Sequence, residues 1–230
     1  MQILLAIGVI ALAYVIGSIP FGLLIVKLMT GKDIRTVESG RTGGTNAMRA
    51  AGFWAGLLTA LMDILKGAVG VWIARALFPD AAWLHVLAPL AAILGHNYSI
   101  FLIERDAQGR FVRLRGGAGG APSVGGAMGL WAASVLIIVP LGALVFFTLG
   151  YASITTMSVA LFAIIVFAVR GQWVYVLYGV LAEVLLIWAL RPNIQKLLSG
   201  NERVVGISLH GRLKAKKEKE SAAEAVSKMD

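Results

Sequence analysis

The chain has 230 residues, is 58% hydrophobic and only 14% charged, and carries a formal net charge of +9. A soluble domain of this size needs nearer a quarter charged residues to solvate its surface, so the composition excludes an ordinary soluble enzyme and points to the bilayer. There is no cysteine, which excludes disulfides and thiolate metal sites.

Candidate spans follow from the apolar runs, since about 20 residues at 1.5 Å each cross the hydrocarbon. The first runs from Ile3 to Val26; it lacks a basic leader and is too long for a signal-peptide core, so it reads as a retained span. The next are Phe53–Leu77 and Trp83–Ile103. A long tract, Ala118–Leu190, follows; from Gly116 to Val169 it contains no Asp, Glu, Lys, Arg or His. Breaks near Trp131–Ala133, Gly150–Thr156 and Arg170-Gly171-Gln172 divide this tract into four spans, with Pro140 inside one of them.

The basic residues set the orientation. The segments Lys27–Arg49, Glu104–Arg115 and Arg191 onward hold 18 of the 21 Lys and Arg, whereas the turn Phe78-Pro79-Asp80 holds none. By the positive-inside tendency these three segments are cytoplasmic. The expected fold is an all-α, polytopic membrane helix bundle of about seven transmembrane helices, N-terminus out and C-terminus in. Residues 1–210 form the membrane-integral part and 211–230 a polar cytoplasmic tail near anionic headgroups. Topology accounts for the basic charge, so no nucleic acid partner is implied. His85, His96 and His210 lack metal-site spacing, and no metal is expected.

Two stretches are suited to phosphate. In Ser39-Gly40-Arg41-Thr42-Gly43-Gly44-Thr45-Asn46-Ala47-Met48-Arg49, glycines free the backbone to present N–H groups. Thr45 or Asn46 fits the N-cap of a following helix, and Arg41 and Arg49 can grip phosphate oxygens. An ordinary Gly-rich turn beside positive-inside arginines is the plainer alternative. The second stretch, Arg113-Leu114-Arg115-Gly116-Gly117-Ala118-Gly119-Gly120, leads into an apolar helix; it reads equally as an anion cradle or as close helix packing. It matches neither a P-loop nor a dinucleotide fingerprint. Within the second span, Asp63 and Lys66 lie three residues apart on one helical face and can pair. His96, near the inner end of the third span, can face the same cavity. Glu183 is a weaker intramembrane case.

Taken in order, these pieces resemble the PlsY family of bacterial acyl-phosphate:glycerol-3-phosphate acyltransferases. The resemblance runs through Gly17-Ser18-Ile19-Pro20-Phe21-Gly22, Ser39-Gly40, Gly43-Gly44-Thr45-Asn46, Arg49, and Asp63-Ile64-Leu65-Lys66-Gly67. It continues through Gly95-His96-Asn97-Tyr98, Gly116-Gly117-Ala118-Gly119 and Asn193 to Glu202. It implies a seven-span inner-membrane enzyme of phospholipid synthesis that needs no cofactor. Such an enzyme moves a fatty acyl group from acyl phosphate to glycerol 3-phosphate and yields lysophosphatidic acid. Ser39 and Arg49 would then be catalytic. Arg41, Gly43, Gly44, Thr45, Asn46, Lys66, His96, Arg115, Gly116, Gly117, Gly119 and Asn193 would bind substrate or order the pocket. The chain departs from the family pattern with Arg41 in an asparagine place, Ala118 in a phosphate-lysine place and Leu190 in a histidine place. It also has extra sequence at about Glu104–Leu114. These departures keep a second reading open, a non-catalytic membrane protein on the same scaffold that binds or moves a phosphorylated metabolite.

Overall fold

A computed structural model describes residues 1–227 and is mostly helical. The helices are α1 (Gln2–Ser18), α2 (Phe21–Thr30), α3 (Gly44–Ala51), α4 (Phe53–Leu77), α5 (Ala82–Asn97), α6 (Gly120–Leu130), α7 (Val135–Leu149), α8 (Ala152–Val169), α9 (Trp173–Leu198) and α10 (Leu209–Ser227). Five stretches are long and apolar enough to cross a membrane: Gln2–Thr30, Phe53–Leu77, Ala132–Leu149, Ala152–Val169 and Trp173–Leu198. The remaining two expected spans are shorter. The third helix stops at Asn97, six residues before Ile103, and α6 has only 11 residues, about 16 Å at the helical rise. The three breaks expected inside the apolar tract fall at Trp131, Gly150–Tyr151 and Arg170–Gln172.

The two short helices lie in the middle of the bundle, where backbones come unusually close. Gly125 of α6 has no room for a Cβ because the Ile64 carbonyl of α4 occupies that space, and Gly95 of α5 meets the Tyr14 carbonyl of α1 in the same way. Small residues at the crossing substitute van der Waals contact for the hydrophobic drive that lipid cannot supply. Around them Val71, Leu90, Ile93, Val124, Phe167, Tyr178 and Leu186 form the main core.

Polar groups freed at helix breaks find partners inside the bundle, as they must in lipid. Pro20 splits the first span. The Ser18 carbonyl then accepts from Ser99 Oγ (2.6 Å) and the Ile19 carbonyl from Lys66 Nζ (2.9 Å). At the other end, Arg75 donates to the last carbonyls of α6, Gly129 and Leu130 (3.0 and 2.7 Å). Pro192 cannot donate to the Trp188 carbonyl, which accepts instead from Arg191 Nε (3.2 Å). So α9 runs through the proline to Leu198, two turns beyond the Leu190 end read from hydropathy.

The extra sequence forms a short β-hairpin on the helical bundle, β1 (Ile103–Arg105) against β2 (Phe111–Leu114). Asp106 turns it by accepting from the Gln108 and Arg110 N–H groups (both 2.9 Å), and Gly109 supplies a positive φ. The polar tail is helical, α10 running from Leu209 to Ser227; Lys228–Asp230 lie outside the described residues. The segment between α9 and α10 folds back on the α7–α8 junction, where Val205 N–H donates to the Gly150 carbonyl (2.8 Å).

Candidate active site

The loops at one end of the bundle close over a cavity of about 490 Å³, within the usual range for a small-molecule site. Its polar end is built from the loop before α3, from α3 itself, and from the end of α9 with the segment after it. Ser39, Arg41, Arg49, Asn193, Lys196 and Glu202 line this end. Its apolar end runs between α4, α7 and α8, lined by Phe53, Leu57, Val139, Ala143, Phe147 and Val159. Phe53, Val139 and Phe147 are also exposed on the outside of the bundle, so the groove opens sideways.

The loop that carries Ser39 is shaped by Asn46. Its amide Nδ2 donates to the carbonyls of Ile34, Val37 and Arg41 (3.2, 3.0 and 2.8 Å), gathering residues 34–41 under α3. Asn46 therefore sits inside the first turn, and Gly43, not Thr45 or Asn46, is the N-cap. Gly44 meets the Gly56 carbonyl of α4, which fixes α3 across the start of that helix. Arg49 then projects from the last turn of α3 onto the cavity wall, half-buried. Among the described residues it makes no hydrogen bond or ion pair. Burial pulls its pKa below the usual guanidinium value, partly offset by Glu202.

Arg41 has a different role. Its guanidinium donates to the carbonyls of Gly117 (3.0 Å) and Ala189 (2.6 Å) and to Asn193 Oδ1 (3.2 Å). It ties the Ser39 loop to the glycine stretch and to the proline-loosened turn of α9. The network continues from Asn193 Nδ2 to Glu202 Oε1 (3.3 Å), and Glu202 Oε2 accepts from Ser153 Oγ (2.6 Å). Glu202 and Ser153 were not singled out as site residues by sequence. The available signal was the hydroxyl cluster Ser153, Thr155 and Thr156 in an otherwise apolar tract, which reads there only as a break.

Ser39, Arg41, Gly43, Gly44, Thr45, Asn46, Arg49, His96, Gly119 and Asn193 share the cavity wall. Lys66, Arg115, Gly116 and Gly117 are not on it. Lys66 pairs with Asp63 (2.7 Å), both fully enclosed, and it is Asp63 that reaches the wall, with His96 Nδ1 at 3.6 Å. Arg115 turns back to Glu104 (3.8 Å) and to the Arg35 and Gly40 carbonyls. Gly116 and Gly117 lie against the end of α5, where a Cβ on Gly117 would strike the His96 ring. Close packing therefore accounts for these two glycines. Ala118 and Leu190, the departures from the family pattern, both face the cavity.

A helix bundle with lipid-spanning lengths, around a cavity that joins an arginine unpaired among the described residues to an apolar groove opening sideways, defines a polytopic membrane protein with an amphipathic site. The chain belongs to the glycerol-3-phosphate acyltransferase family, whose sequence model matches residues 7–200. It is 37% identical over 202 residues to the glycerol-3-phosphate acyltransferase of a Thermus thermophilus strain, covering 87% of this chain and 96% of that relative. To the corresponding protein of Bordetella pertussis it is 38% identical over 208 residues, covering 86% and 91%. The fold is similar to crystal structures of PlsY (YgiH), an integral membrane glycerol 3-phosphate acyltransferase. The glycerol 3-phosphate form gives a TM-score of 0.76 at 31% identity, over 87% of this chain and 96% of that one. The lysophosphatidic acid form gives 0.75 at 28%, over 88% and 96%.

Proposed function

We propose that this chain transfers a fatty acyl group from acyl phosphate to the 1-hydroxyl of glycerol 3-phosphate, yielding lysophosphatidic acid and inorganic phosphate. The observation that carries this reading is the amphipathic cavity, with Arg49 unpaired at its polar end and its apolar end open between α4 and α7. The acyl chain lies in the apolar groove and both phosphates lie at the polar end. The glycerol hydroxyl oxygen attacks the acyl carbonyl, the carbonyl–phosphate bond breaks, and the hydroxyl proton leaves on the departing phosphate. That leaving group is good enough for charge stabilisation to stand in for a strong protein base. Ser39 hydrogen-bonds phosphate or the attacking hydroxyl, and Arg49 neutralises phosphate. Asn193 and Asn46 hold the polar end in shape, and Gly43, Gly44, Thr45 and Gly119 let substrate approach the backbone.

Purified protein in detergent is expected to form lysophosphatidic acid from palmitoyl phosphate and glycerol 3-phosphate. Palmitoyl-CoA is expected to give much less product, because the family that the chain's motifs resemble uses acyl phosphate as donor. Equal or greater yield from the CoA ester removes the donor assignment. Apolar Ala118 and Leu190 on the wall favour a second reading, a scaffold that binds or moves a phosphorylated metabolite without chemistry. Binding of glycerol 3-phosphate with no product from either donor selects it.

The site is proposed to face the cytoplasm. The Ser39 loop, the glycine stretch and the end of α9 meet at one end of the bundle. The opposite end packs Ala6 and Val9 of α1 with Leu84, Phe78 and Ala81. Single cysteines at Gln2 and Lys217 are expected to react with a membrane-impermeant maleimide from opposite sides of sealed vesicles. Reaction of both from one side rules out the N-out, C-in arrangement.

A further inference from the structure

With alanine at position 118, the glycine stretch puts no cation on the cavity wall; the wall cations are Arg41, Arg49, Lys196 and Arg203. Arg41 is committed to two carbonyls and Asn193. Arg203 is the unusual one, because it is already paired. Its guanidinium meets the carboxylate of Glu38 across the mouth of the cavity, joining the Ser39 loop to the segment after α9, and both side chains line the cavity.

Two features set this pair apart from an ordinary surface contact. Glu38 has φ of 49°, the one non-glycine residue with positive φ among the described residues, and left-handed backbone of this kind persists only where surrounding contacts impose it. It stands immediately before Ser39, and its carboxylate joins Asp63 and Glu202 on a wall that also carries Arg41, Arg49, Lys196 and Arg203. The pair is also wet, with Arg203 68% and Glu38 35% exposed. An exposed single-charge pair contributes little in water. A phosphate monoester, carrying close to two negative charges at neutral pH, is the stronger partner for a guanidinium fork.

We propose that Arg203 binds the phosphate of the soluble substrate, glycerol 3-phosphate, and that Glu38 is its resting partner, displaced when the phosphate arrives. The solvent-facing position of Arg203 suits a substrate arriving from water. The acyl donor is anchored by its chain in the groove between α4 and α7. This assignment rests on the acyltransferase reading for the identity of the ligand, though not for the chemistry.

The test is titration calorimetry of glycerol 3-phosphate into the purified full chain, without acyl donor. Arg203→Gln is expected to weaken binding about tenfold, roughly 1.4 kcal/mol, and Arg203→Lys to fall between, since lysine keeps the charge and loses the fork. Glu38→Gln is expected to tighten binding by about threefold, because the competitor is gone. The opposite signs are the diagnostic. If the pair is only a structural tie, Glu38→Gln weakens binding as Arg203→Gln does, and the proposal fails; unchanged binding in Arg203→Gln also overturns it. Should Arg203→Gln not fold, Glu38→Gln and Arg203→Lys still decide. Wild-type protein that binds glycerol 3-phosphate but makes no lysophosphatidic acid defeats the acyltransferase reading alone. Normal turnover with normal binding in Arg203→Gln defeats this assignment alone. Wild-type protein that does not bind glycerol 3-phosphate overturns both.

Discussion

Replacing Arg49 with alanine is expected to lower acyl transfer by about one to two decades while the bundle stays folded. A charge-assisted hydrogen bond to phosphate contributes about 1.5–3 kcal/mol, and each 1.36 kcal/mol off a barrier is tenfold in rate. Arg49 can supply that interaction because no group among the described residues uses its guanidinium, although the side chain is half-buried on the cavity wall. Folding is not expected to depend on it. Helix α3 is held by the Asn46 amide beneath it and by the tight Gly44–Gly56 contact with α4. The check is initial velocity with palmitoyl phosphate beside thermal unfolding in detergent. Near-normal velocity means that Arg49 only anchors α3 to headgroups. A large drop in melting temperature means that its role is structural.

The second large effect concerns stability. Lys66→Met is expected to destabilise the bundle by about 3–5 kcal/mol, because it strands the Asp63 carboxylate. The Asp63 and Lys66 side chains are 1% and 2% exposed, and Lys66 also satisfies the Ile19 carbonyl at the Pro20 break. Asp63→Asn added to Lys66→Met is expected to recover much of the loss, since a buried pair and an uncharged replacement are often similar in stability. Thermal unfolding of the single and double variants in detergent measures this. A single variant as stable as wild type would show that water or another cation reaches Asp63. Activity is a separate readout here, because Asp63 and not Lys66 reaches the cavity.

Much of the molecule was legible in the sequence wherever the deciding contacts are local or compositional. An uncharged tract from Gly116 to Val169 forces a membrane class because no soluble core needs one so long. Its breaks at Trp131, Gly150 and Arg170–Gln172 came from residues that stop a helix or sit at an interface. The Asp63–Lys66 pair followed from three-residue spacing, which puts two side chains on one face whatever surrounds them. The family was legible because several short motifs keep their order over most of the chain. Tertiary structure alone decided where the long side chains of the loops point. Arg41 and Arg115 both read as phosphate ligands, yet Arg41 bonds a carbonyl 148 residues away on α9 and Arg115 turns to the hairpin. Gly116 and Gly117 read as a possible cradle, but the His96 and Asn97 carbonyls take the space a side chain on Gly116 would need, and the His96 ring takes that on Gly117. Glu202 reaches Ser153 only because the chain after α9 folds back on the α7–α8 junction. Helical spacing fixes neighbours three or four residues apart. A guanidinium at the end of a flexible stem takes its partner from whichever distant carbonyl the packed bundle leaves unsatisfied.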